Sequence, residues 1–116
     1  MSGDLTTHVL DTGREGPAAG VTITLQRLEE DGQPETITTA VTNDDGRVDS
    51  PLLEGDAMVA GQYQLLFEVG PYYREQQNES SFLETVPVRF VIDAPDESYH
   101  VPLLLSPGGY TTYRGS

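Results

Sequence analysis

His8 in "THVLD" and His100 in "YHVPL" are the two histidines of this 116-residue chain. An imidazole changes charge near neutrality, so such a pair can supply both halves of a hydrolysis. One ring takes a proton from water and the other returns it to the leaving group. Each histidine sits in a run of apolar residues, and taken singly each is an ordinary surface or hydrogen-bonded strand residue. Zinc would require a third ligand, and the sequence offers no clear one. Arg47 follows "NDDG" and reads as a turn residue with a solvated head, or as a clamp for a carbonyl or an anion. The final residues Tyr113, Arg114, Gly115 and Ser116 carry a phenol, a guanidinium and a hydroxyl where chain ends usually become disposable. No serine stands in a nucleophile-elbow pattern and no glycine-rich phosphate loop is present.

Strands must position these groups. "VTITLQRL", "QYQLLFEV" and "VPVRFVID" alternate apolar and polar residues, the pattern of strands with one face on a core. Further strands are expected at 5–12, 36–42, 99–105 and 109–115, with a short edge piece near 56–59. "EDGQPE" predicts a hairpin, and "GREGPAAG", "DDGR", "APDES" and "SPGG" mark other turns. "PYYREQQNES", 71–80, lacks alternation and follows a proline, which predicts a short helix. The expectation is one all-β domain spanning 1–116, an antiparallel β-sandwich of seven or eight strands with one short helix. If Val9 and Val101 face the core, His8 and His100 point outward. Alternation in the last strand separates Arg114 and Ser116 from Tyr113, and we expect Arg114 and Ser116 on the histidine face.

Composition narrows the function. Nineteen acids stand against six arginines and no lysine, for a net charge of -13. Nucleic-acid binding needs a basic footprint and is excluded on these numbers. The acids are scattered, which fits a folded domain with an acidic coat and predicts adaptation to high salt. Without cysteines there are no disulfides and no thiolate metal sites. No apolar stretch approaches a bilayer span, and "MSGDLTTHVL" lacks the features of a signal peptide, so the expected location is cytoplasmic, away from membranes.

"LTTHVLDTGREGPAAGV", "TNDDGR" and "YHVPLLLSPGGYTTYRGS" together resemble the transthyretin-like family, and within it the 5-hydroxyisourate hydrolases. The likeness runs from about Leu5 to Ser116. The terminal "YRGS" and the two "HV" strands mark the hydrolase branch, since the hormone-carrying transthyretins lack this set. The resemblance implies a homotetramer of eight-stranded sandwiches with active sites where dimers meet. It implies His8, Arg47 and His100 as catalytic residues, with Ser116 beside them. It also implies a substrate-binding set of Arg47, Tyr113, Arg114, Gly115 and Ser116. The substrate it implies is 5-hydroxyisourate, a small oxidised purine with ring carbonyls, and no metal or organic cofactor is required. The chain departs from the pattern at "SPGG", where Gly108 replaces a bulkier residue.

This chemistry agrees with the residues. Either histidine suits the base, Arg47 suits substrate orientation or the oxyanion, and Ser116 suits placement of substrate or water. Ser116 as a covalent nucleophile lacks an activating motif. The alternative is a non-catalytic transthyretin-like carrier, whose channel would be aliphatic where this chain offers histidines and arginines. A structural sandwich module is the third reading, and it predicts flanking linkers or domains.

Overall fold

A computed structural model describes residues 3–115. Two sheets face each other across one apolar core. The first sheet contains β1 (Asp4–Asp11), β2 (Gly16–Pro17), β5 (Leu53–Glu54), β8 (Tyr99–Ser106) and β9 (Gly109–Thr112). Its order is β2-β1-β8-β9, with β5 also on β1. The second has the order β4-β3-β6-β7, from β3 (Thr22–Leu28), β4 (Pro34–Val41), β6 (Gly61–Glu68) and β7 (Thr85–Ile92).

The predicted alternation sets the inward faces. Leu5 and Val9 of β1 meet Val101, Leu103 and Leu105 of β8, while Ile23, Leu25, Tyr63, Leu65 and Phe67 close the core from the other sheet. All of these are buried, which supplies the main stabilising term. "EDGQPE" forms the expected hairpin, with Glu29 N–H donating to the Gln33 carbonyl at 3.1 Å and Gly32 at φ +82°.

Three expectations change. The pairing of β1 with β8 is parallel, although every other ladder is antiparallel. The helix is shorter and earlier than 71–80: α1 (Val69–Pro71) runs into a π-helical turn, Tyr72–Gln76. Its anchor is apolar, since Tyr72 and Tyr73 are buried, and the Tyr72 hydroxyl donates to the buried Asp11 carboxylate at 2.8 Å. The edge piece lies at Leu53–Glu54, and a 3-10 turn follows at Gly55–Ala57, entered through Gly55 at φ +59°. Gly108 faces open space in the β8–β9 turn, so the departure at "SPGG" leaves that hairpin intact. Among the described residues no helix is long and apolar enough to cross a membrane.

The 43–47 turn matters most for function. Asn43 Oδ1 accepts from the amides of Asp45 (2.9 Å) and Arg47 (3.2 Å), and Asn43 N–H donates to the Arg47 carbonyl at 2.7 Å. This is an Asx turn closed by glycine. Gly46 takes φ +75°, and its carbonyl accepts from Val9 N–H at 2.8 Å. A Cβ on Gly46 would overlap the Val9 carbonyl oxygen. Gly46→Ala therefore combines left-handed strain with a backbone clash. It is expected to cost about 1–3 kcal/mol of stability, read from urea denaturation.

Candidate active site

The free edge of β1 is shared by three segments. β5 pairs with Asp4 and Leu5, β2 pairs with Leu10 and Asp11, and the gap between them takes the 43–47 turn as an isolated bridge, His8 to Arg47. Paired residues of neighbouring strands project to one face, so Arg47 lies beside His8 on the outer side of the sheet. Across the other edge of β1, the parallel register sets Thr6 against His100 and His8 against Pro102. Beyond β8, the antiparallel register that joins Leu103 to Thr112 continues unchanged to His100 with Gly115. Two rows result on the outer face. One runs Arg47, His8, Pro102, and the next runs Thr6, His100, Gly115.

Hydrogen bonds orient both rings. His8 Nε2 lies 2.8 Å from the Asp45 carbonyl oxygen. A carbonyl only accepts, so His8 Nε2 carries a proton and donates it to this contact. His100 Nδ1 lies 2.8 Å from Thr6 Oγ1. A hydroxyl can donate or accept, so this contact lets His100 Nε2 offer either a lone pair or a proton. Gly115 N–H donates to the His100 carbonyl at 2.7 Å, and a Cβ there would stand 2.6 Å from His100 Cδ2. Only glycine allows the terminal backbone to lie this close to the ring.

A cleft of about 320 Å³ opens on this face, lined by Thr6, Arg47, Ser98, Tyr99 and His100. Burial holds the His100 pKa below its ordinary value, and the charges of Arg47 and His8 lower it further. His100 is thus kept neutral and able to accept a proton. Among the described residues no cluster of three or more metal-ligating side chains occurs.

The outward placement of both histidines follows the alternation, and Arg47 and Gly115 join them. Tyr113 is more than half exposed and lines a separate pocket with Val88, Phe90, Val101 and Arg114. Ser116 lies outside the described residues. Arg114 is a correction. It was expected on the histidine face, but its guanidinium lies 4.1 Å from the Tyr99 ring centroid, on the Val101 side of β8. Alternation fixes which residues share a face, while pairing decides which face that is. Because Gly115 pairs with His100, Arg114 must take the other side. Thr6 was missed as a site residue, although its position two before His8 already put it on the same face.

The profile of the HIUase/Transthyretin family matches residues 5–115. The chain belongs to that family. Within it, the chain is 52% identical to the 5-hydroxyisourate hydrolase of Halalkalibacterium halodurans, over the whole of both chains. Its structure is similar to that of an (S)-allantoin synthase (TM-score 0.92, 45% identity), covering 99% of this chain and spanning 44% of that one. It is also similar to sea bream transthyretin in complex with thyroxine, with TM-score 0.89 and 30% identity over 97% of this chain and 94% of the other. The family therefore joins hydrolases and a hormone binder on one fold, and the side chains of the site must separate them.

The electrostatics of His100 give a test. Its neutral form persists below the ordinary histidine value of about 6.5. As pH falls, the unfolded chain takes up this proton first, so the stability linked to His100 is complete above that value and declines below it. Arg47→Gln removes one of the two charges that disfavour the imidazolium. The His100 midpoint, followed by NMR of the ring Cε1 proton, is expected to rise toward 6.5.

Proposed function

We propose that this protein hydrolyses 5-hydroxyisourate to 2-oxo-4-hydroxy-4-carboxy-5-ureidoimidazoline in urate degradation. The observation that carries the reading is the convergence of Arg47, His8, Thr6 and His100 on one sheet face, with a neutral imidazole at its centre. Its 5-hydroxyisourate hydrolase relative from Halalkalibacterium supports it over full length. A non-catalytic carrier would have no need of two oriented imidazoles beside an arginine.

In this mechanism water sits between substrate and a histidine and loses its proton to the ring. The resulting hydroxide adds to a ring carbonyl, and Arg47 stabilises the oxyanion as charge develops there. The intermediate collapses with cleavage of the ring carbon–nitrogen bond, and the proton returns to the leaving nitrogen through the second histidine. Thr6 supports this by letting His100 exchange its protonated nitrogen. Gly115 packs on His100, Tyr113 flanks the substrate, and Ser116 positions substrate or water. No metal or organic cofactor takes part. The reading includes a cytoplasmic location and a homotetramer. The cleft is open in the single chain, and a second copy over this face would shut out bulk water.

Generating 5-hydroxyisourate from urate with a separate oxidase, and following its decay by ultraviolet absorbance, tests the activity. Decay above the spontaneous rate is expected. His8→Ala and His100→Ala should each lower kcat/KM by about 10² to 10⁴-fold. Decay at the spontaneous rate with the intact protein would remove the proposal.

Charge adds a second expectation. A surface at -13 repels an anionic substrate at low ionic strength, and salt screens that repulsion. Catalytic efficiency is expected to rise with potassium chloride in the same assay, in keeping with an acidic coat adapted to salt. A flat or falling profile would sink this idea.

A further inference from the structure

We infer that Arg114 is a positioning residue, which grips the loop before β8 from the far side of the sheet and so holds Gly115 against His100. For its effect on turnover this rests on the hydrolase reading; for its effect on the His100 ring it does not.

The need for a grip begins with Pro102. Proline lacks an amide proton, so β8 cannot donate to the terminal strand at that position. β9 ends at Thr112, whose hydroxyl donates to the Pro102 carbonyl at 2.7 Å. The next backbone contact is Gly115 N–H to the His100 carbonyl. Tyr113 and Arg114 cross the interval outside any ladder. The segment that lies on the catalytic ring is therefore weakly tied by its own backbone.

Arg114 supplies what the ladder lacks. Its guanidinium stacks on Tyr99, and Nη2 lies 3.2 Å from both the Glu97 carboxylate and the Ser98 carbonyl. These three residues immediately precede His100. They are fixed in turn: the Tyr99 hydroxyl accepts from the amides of Asp93 (3.2 Å) and Ala94 (3.0 Å), and Glu97 N–H donates to the Ala94 carbonyl at 2.9 Å. The flat guanidinium suits stacking and two acceptors at once, a geometry that lysine cannot reproduce. Arg114 and Glu97 are about half exposed, so their pairing adds little to global stability. Its effect is local. It decides whether Gly115 stays on the ring and keeps water from it.

Variants of both partners provide the test, with the His100 midpoint by NMR, kcat and KM as readouts. The charged groups facing His100 are His8 from β1 and Arg47 from the 43–47 turn. Arg114→Ala is expected to expose His100, raise its midpoint toward 6.5, and lower kcat by about ten- to a hundredfold with a smaller change in KM. Arg114→Lys should recover part of each. Glu97→Ala separates release of the grip from simple charge. Loss of an anion by itself would lower the His100 midpoint, whereas loosening the terminus raises it. A raised midpoint in both Arg114→Ala and Glu97→Ala supports the inference. An unmoved midpoint in Arg114→Ala, or a lowered one in Glu97→Ala, overturns it, as does an increase in KM alone, which would make Arg114 a substrate contact. The titrations need no substrate, so failure of the hydrolase reading would appear separately, as a wild-type protein without turnover.

Discussion

The parallel ladder between β1 and β8 is the contact on which the site depends. It runs through seven residue pairs, from Leu5 with Tyr99 to Asp11 with Leu105. Its inward face is the apolar row of Leu5, Val9, Val101, Leu103 and Leu105. A shift of one residue would drive His8 or His100 into that row, so burial of the core pins the register of the outer face. Thr6 thereby meets His100, and His8 stands one step along. Residues almost a full chain length apart are joined by packing on the side of the sheet that the substrate would never touch.

Around this ladder, smaller devices aim the groups. The glycine-closed turn at 43–47 delivers Arg47 to His8 and presents the Asp45 carbonyl to its ring. The close approach of Gly115 covers His100. Burial and two positive neighbours then keep that imidazole neutral, the state a base requires. Pro102 lies in the row of His8 and interrupts the ladder to the terminal segment, which moves the work of holding that segment to a side chain on the opposite face.

Much of this was legible in the residues. Period-two alternation put Val9 and Val101 inward and both histidines outward, because each half-buried strand must choose one face for its apolar set. "NDDGR" announced a tight turn, and its resemblance to the transthyretin-like family supplied the expectation that the turn and the histidines meet. The parallel sense of the β1–β8 pairing could not be read, since partner choice is a tertiary matter. The side taken by Arg114 depended on that same unseen information. A strand's parity is internal, but its phase is set by the neighbour, here His100 with Gly115. Thr6 stayed hidden for a simpler reason: a threonine in a strand is ordinary until its partner is known. The helix ended early because buried Tyr72 and Tyr73, rather than helix propensity, hold it.

The central claim is that one outer sheet face, defined by the register of β1, β8 and the terminal segment, is the catalytic surface. The most direct measurement is an NMR titration of the intact protein with a non-hydrolysable purine-dione analogue of the substrate. The account predicts that the ring signals of His8 and His100 and the amide of Gly115 move together along a single saturating curve, while residues on the outer face of the β4-β3-β6-β7 sheet stay still. Saturable binding that leaves both imidazoles unmoved would contradict it.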